Sequence, residues 1–150
     1  PEPRSLIMSR LKSCLFGACD PAGNCSQIGY TLFRVFIGLG MALGHGLGKI
    51  KAPDGFLEGV EKLGLPFPDL MGWAAILAEF IGGLLIAVGL LTRPSAFFLA
   101  ITMAVAAFMR HAQDDFATKE RALLYLASCI AIMAFGAGKF GIDSLIAKKK

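Results

Sequence analysis

Four stretches of the chain are almost free of charge: residues 28–47, 70–91, 95–109 and 122–138. The first is twenty residues long with one Arg and one His, and the second is twenty-two residues with Glu79 as its single charge. The third and fourth hold fifteen and seventeen uncharged residues. Crossing ~30 Å of hydrocarbon takes about 20 helical residues at ~1.5 Å rise each. The first two stretches reach that length alone, and the others reach it with their flanks, Pro94 and Arg110 extending the third. Four soluble core helices of this kind would leave too little polar surface to cover a domain. The pattern therefore predicts an all-α fold, a transmembrane four-helix bundle.

The connections add detail. Leu91-Thr92-Arg93-Pro94-Ser95 is a tight turn, with Pro94 fitting the first turn of the third helix, so the second and third helices are antiparallel neighbours. In the longer first loop, Asp54 is placed to cap a short helix whose Phe56, Leu57, Val60 and Leu63 share one face, before Pro66 and Pro68 break it. That helix is expected to lie at the interface and roof one end of the bundle. The chain divides into a polar, Cys-containing tail over residues 1–27, a membrane domain over 28–146 and a basic tail over 147–150. No removable signal peptide is recognisable, and Met8 is a candidate natural start.

Composition agrees: 55% of the 150 residues are hydrophobic and 17% charged, with a mean hydropathy of +0.64. Those values exclude disorder, and four Cys are too few for a disulfide scaffold. The net charge of +4 comes from scattered basic residues, which disfavours nucleic acid as a partner and leaves the lipid bilayer. Of fifteen Lys and Arg, eight fall in the two tails and the short second turn, six in the first and third loops, and Arg34 inside a span. By the positive-inside rule both termini are expected in the cytoplasm, in a multi-pass protein of the plasma (inner) membrane.

Charged groups in a span cost at least ~2.5–3.5 kcal/mol and therefore seek partners. Arg34 and Glu79 are expected to pair between the first two helices. Arg34, Gly38, Met41, His45 and Lys49 share a helical face, while Ala75, Gly82 and Gly83 flank Glu79. The run Gly40-x3-Gly44-x3-Gly48 marks a close-packing seam. His111 continues a stripe of Ala100, Ala104 and Ala107, with Asp114 and Asp115 placed to orient its ring. Together with Lys49, Arg121, Tyr125 and Ser128, the two His and Glu79 suggest a polar pocket opening at the non-cytoplasmic side. Haem held by His45 and His111 is a weaker reading, since no further ligand signature accompanies them. Cys14, Cys19 and Cys25 follow no zinc spacing, so no metal site is assigned, and Cys129 reads as a packing residue.

The run from Glu79 through Gly82-Gly83 to Gly89-Leu90-Leu91-Thr92-Arg93-Pro94 resembles the DoxX family of small four-helix membrane proteins. Arg34, the Gly44-His45-Gly46 and Lys49 group, His111, and Gly136-Ala137-Gly138 with Gly141-Ile142-Asp143 extend the likeness over residues 28–146. Gly141 stands where many relatives carry Ser, and Ala137 where Pro is frequent. The resemblance implies the bundle fold and, for some relatives, quinone-linked sulfur oxidation or redox complexes. It leads to an expected redox-associated subunit that binds a quinone-like ligand. Glu79 and His111 would be its catalytic groups, and Arg34, His45, Lys49 and Tyr125 its ligand-binding groups. The alternatives are a non-catalytic anchor or assembly subunit among other membrane or peripheral proteins, and small-solute or proton transport.

Overall fold

The computed structural model describes residues 23–148, so Cys14, Cys19 and Met8 lie outside the described residues. The described residues form helices and turns with no strand: α1 (Asn24–Lys51), α2 (Asp54–Glu61), α3 (Pro68–Val88), α4 (Thr92–Arg110), α5 (Phe116–Phe135) and α6 (Ile142–Ala147). Three of them, α1, α3 and α4, are long and apolar enough to cross a membrane, at 28, 21 and 19 residues. The fourth apolar run becomes α5, which starts at Phe116 and stops at Phe135, where Gly136 takes φ +72°. Its first turns carry Lys119, Glu120 and Arg121, leaving 122–135 uncharged. That stretch is about 21 Å of helix against ~30 Å of hydrocarbon.

Met41 of α1, Ile86 of α3, Leu99 and Met103 of α4, and Cys129 and Ile132 of α5 form one buried cluster. Four helices thus enclose a single core, and Cys129 is a packing residue within it. The outward surface is apolar as well. Leu32, Phe36, Phe98, Phe108, Leu124 and Phe135 are all exposed, an arrangement that suits lipid and not water.

With lipid outside, association relies on close packing, which small residues permit. A Cβ on Gly38 would fall 2.5 Å from the Gly83 carbonyl oxygen, and one on Gly46 would fall 2.6 Å from the Phe80 nitrogen. The backbones of α1 and α3 therefore touch at Gly38·Gly83 and Gly46·Phe80. This corrects the expected seam: Gly44 and Gly48 face open space, and Gly40 faces the Tyr125 hydroxyl. Gly40 and Gly44 lie about 200–240° around α1 from Gly38, so that row faces away from α3, and a wide π-type turn at Ala42–Gly46 adds a change of register. The extra residue makes Gly46, rather than His45, the position in backbone contact with α3, and leaves His45 half-buried. Similar turns occur at Ala78–Gly82, around Glu79, and at Ala106–Arg110, before His111.

The loop helix forms as expected, with one correction. Pro53 is the N-cap residue of α2, and Asp54 sits in the first turn without a capping hydrogen bond. Pro53 has a helix-compatible φ of −75° and its carbonyl accepts from Phe56 and Leu57, so the helix begins one residue early. Leu57 and Val60 rest on Gly72 of α3. Asp115 caps α5, its Oδ1 accepting from the Thr118 hydroxyl at 2.7 Å and the Thr118 amide at 3.1 Å. Those two hydrogen bonds hold its carboxyl below the ordinary 3.8.

Candidate functional site

The end of the bundle beneath α2 holds a buried ion pair. Lys49 Nζ donates to both carboxylate oxygens of Glu79, at 2.5 and 2.6 Å. The Glu79 side chain is 2% exposed and that of Lys49 27%, so Lys49 is the face that solvent or a ligand meets. Phe56 of α2 places its ring 4.2 Å from the ammonium, a cation–π contact that draws the roof onto the pair. His45 stands edge-on to Tyr125 of α5, with ring centroids 5.7 Å apart. The imidazole lies within electrostatic reach of Glu79, Lys49 and Arg121. Four of the expected site residues, Glu79, Lys49, His45 and Tyr125, therefore do converge.

Arg34 does not join them, which corrects the predicted Arg34–Glu79 pair. The Gly38·Gly83 and Gly46·Phe80 contacts fix the antiparallel register of α1 and α3. They set Glu79 level with residues near 46, about twelve positions from Arg34. At ~1.5 Å per residue that is about 18 Å, beyond the reach of an Arg side chain. His111 is also apart. Its Nδ1 is 2.6 Å from Asp114 Oδ2 in the loop after α4, as expected, whereas Asp115 is committed to Thr118. Among the described residues His111 has no polar contact with Glu79, Lys49 or His45. The wide turn at Ala106–Arg110 takes it off the alanine stripe.

Arg34 instead belongs to a clamp at the opposite end. Its Nη1 donates to the carbonyls of Ile86 and of Ala87, the latter at 2.7 Å. Those are last-turn carbonyls of α3, where a cation complements the negative end of the helix. Gly89 closes α3 at φ +75°, with the Leu90 amide reaching back to the Leu85 carbonyl and the Gly89 amide to that of Ile86. A side chain at Gly89 would meet Arg34 at 3.0 Å and the Gly141 backbone at 2.7 Å. Leu91 then adopts φ +47°, a conformation costly for a residue with a Cβ. Asp143 of α6 offsets that cost: its Oδ1 accepts from the Leu91 amide at 2.8 Å and its Oδ2 from the Thr92 amide at 2.9 Å.

Asp143 is the residue whose role the sequence pattern did not reveal. The Gly141-Ile142-Asp143 motif is visible, but no spacing rule ties it to a turn about fifty positions earlier. Partial burial works to raise its carboxyl, yet the amides of Thr92 and Leu91 and the nearby Arg34 outweigh this and hold it below 3.8. Asp143→Ala is expected to cost about 2 kcal/mol, in the range for a lost charged cap. A carboxyl depressed in the folded state stabilises above its unfolded value. The charge-dependent part of the wild-type advantage should therefore be full at neutral pH and be lost as pH falls below 3.8 toward the folded value. Unfolding in detergent at several pH values checks this, and a gap that does not narrow as pH falls below 3.8 would contradict it.

The DoxX family model matches residues 29–112, more than half of the chain and the part that carries Arg34, His45, Lys49, Glu79 and His111. The chain belongs to the DoxX family. Among curated relatives, the "Inner membrane protein YqjF" of Escherichia coli (strain K12) is 31% identical over 129 residues, covering 82% of this chain and 95% of the relative. An uncharacterized protein of Haemophilus influenzae is 29% identical over 138 residues, covering 87% and 91%. A Bacillus subtilis (strain 168) protein named "Putative oxidoreductase CatD" is 29% identical over 132 residues, covering 83% and 91%. No solved structure matches significantly. As a DoxX protein with apolar spans, the chain is a membrane protein. The DoxX match ends before Tyr125 and Asp143, so one wall of the ion-pair site and the acidic half of the clamp come from outside it.

Proposed function

We propose that this DoxX protein is a redox-associated subunit of the inner membrane that handles a quinone-like ligand at the Lys49–Glu79 site. The observation that carries the reading is a carboxylate held 2% exposed among apolar helices and paired to a lysine that stays 27% exposed. An ammonium and an imidazole at one place are hydrogen-bond donors for a carbonyl oxygen, and Glu79 is a proton acceptor directly behind them. The rings of Phe56 and Tyr125 offer apolar faces beside these polar groups. The residues present thus fit a quinone, which would supply a two-electron, two-proton couple. In this reading Lys49 and His45 orient the head group, Glu79 holds or accepts the proton, and Tyr125 borders the site. Arg34 serves the fold, and His111 with Asp114 lies outside the site. The relative named as an oxidoreductase supports the same direction.

We place α5 as the fourth membrane-crossing helix. Lys119 carries its ammonium back to the Ala112 carbonyl at 2.7 Å, so a charged first turn can reach the interface while the apolar remainder crosses. Both termini are then on the cytoplasmic side, with α2 on the other. Mass spectrometry of quinones that copurify with the intact protein tests the reading. Stoichiometric quinone is expected for the wild type and at least tenfold less for Glu79→Gln, with helicity unchanged. A well-folded wild type with no quinone enrichment overturns it.

A second reading, an anchor or assembly subunit, draws support from the clamp. The family-like Gly89–Pro94 and Gly141–Asp143 segments are both spent on structure. That reading expects a partner subunit to copurify equally with wild type and Glu79→Gln.

A further inference from the structure

An open cleft of about 600 Å³ lies at the end away from α2, between the first turn of α1, the α5–α6 turn and α6. Arg93, Lys139 and Lys148 line it, with Asp143 as the carboxylate among its walls. Both oxygens of Asp143 are committed to the Leu91 and Thr92 amides. None of the three cations has a carboxylate partner among the described residues. Arg93 leans on the Ala134 carbonyl at 3.4 Å, and Lys139 donates to the neutral Asn24 Oδ1 at 2.6 Å. Three cations against one carboxylate leave the lining net positive among the described residues, and that excess makes a site for an oxyanion.

The rim says which kind. Phe135, Phe140, Leu145 and Ile146 are exposed around this end, and α1, α3, α4 and α5 all terminate here. The cleft therefore sits where an apolar belt meets the polar layer, with basic groups inside and acyl-compatible side chains around them. We propose that it binds the phosphate head group of an anionic phospholipid, with the acyl chains along Phe135, Phe140 and the apolar face of α6. A free phosphate would use the same cations but leave that apolar rim without a role.

Native mass spectrometry of the full chain in mild detergent tests this with two lipids of identical acyl chains, phosphatidylglycerol and phosphatidylcholine. Phosphatidylglycerol should bind tighter, and each Lys removed should weaken it about fivefold, at about 1 kcal/mol per basic group. Lys139→Gln/Lys148→Gln should lose about 25-fold, while Lys62→Gln at the other end changes nothing. Both lysines are exposed, so the double variant should fold, and an unchanged melting temperature verifies that. Equal affinity for the two lipids, or undiminished phosphatidylglycerol binding by the folded double variant, overturns the proposal. Displacement of phosphatidylglycerol by millimolar inorganic phosphate, bound equally well without lipid, would reassign the site to a soluble phosphate and overturn the lipid assignment.

Discussion

Gly38→Ala is expected to destabilise the bundle by at least ~3 kcal/mol, while Gly44→Ala and Gly48→Ala on the same helix cost nothing measurable. The added methyl at 38 would meet the Gly83 carbonyl oxygen at 2.5 Å, the Ala87 nitrogen at 2.6 Å and the Ala87 Cα at 3.0 Å. All three are backbone atoms of a helix, so no side chain can rotate aside, and α3 must move as a body. Behind it, Ile86 is fully buried in the shared core and Arg34 grips the Ile86 and Ala87 carbonyls. Moving α3 therefore disturbs core and clamp together. Overpacking usually costs ~1–3 kcal/mol, and contact against backbone on this scale belongs at or above the top of that range. The better helix propensity of Ala offsets at most ~1 kcal/mol of it. At Gly44 and Gly48 an added methyl would meet nothing within 4 Å. Melting of the three variants in one detergent decides the matter. A loss at 44 with none at 38 would put the helix contact back on the Gly40-x3-Gly44-x3-Gly48 seam.

That comparison also marks what the sequence made legible. Apolar runs at 28–47, 70–91 and 95–109 located α1, α3 and α4 because the length of a lipid-facing helix is set by hydrocarbon thickness. The fourth run at 122–138 located α5 less well. Its helix begins at the Asp115 cap, within polar sequence, and ends at a left-handed glycine inside the run. Helix faces are less legible than helix positions. A stripe counted at 3.6 residues per turn stays true only while the helix is regular, and the wide turn at Ala42–Gly46 moves the buried position from 45 to 46. No side-chain pattern in Ala42-Leu43-Gly44-His45-Gly46 announces such a turn.

The site divides in the same way. Lys49, Glu79, His45 and Tyr125 are legible by residue type, since polar groups in apolar helices must find one another. Their pairing was not legible, because it depends on axial register. The sequence suggests that the spans 28–47 and 70–91 sit level, which brings Arg34 within reach of Glu79. In the folded chain α1 extends from Asn24 to Lys51, well past both ends of its apolar run. This places Lys49, two residues beyond that run, inside the helix and opposite Glu79. Arg34 then meets the end of α3 and takes its carbonyls as partners. The Asp143 cap was hidden for a different reason: it is a long-range contact whose partners are backbone amides, which carry no residue signature.

Lys49→Met is the substitution that separates these two pairings, and it is expected to cost ~3–5 kcal/mol. Removing one partner of a buried pair strands the other charge in a low-dielectric site, and that stranded charge dominates the loss. Glu79 has both oxygens on Lys49 and its side chain is 2% exposed, so no water layer takes over. The methionine keeps an apolar stem against Phe56 and loses the cation–π contact, a smaller contribution of about 0.5–2 kcal/mol. Lys49→Met/Glu79→Gln should recover most of the stability, because a neutral amide no longer needs a counter-charge. The resulting double-mutant cycle should show a coupling of at least ~2 kcal/mol. Arg34→Met should show no coupling to Glu79→Gln, although it is itself destabilising through the lost α3 carbonyl contacts. Reversed couplings, large for Arg34 and absent for Lys49, would mean that α1 and α3 slide by about three turns relative to the register described. The same cycle bears on the proposed function: if quinone copurifies with wild type and the double variant folds as well, its loss from the variant measures what the charges do for the ligand and not for the bundle.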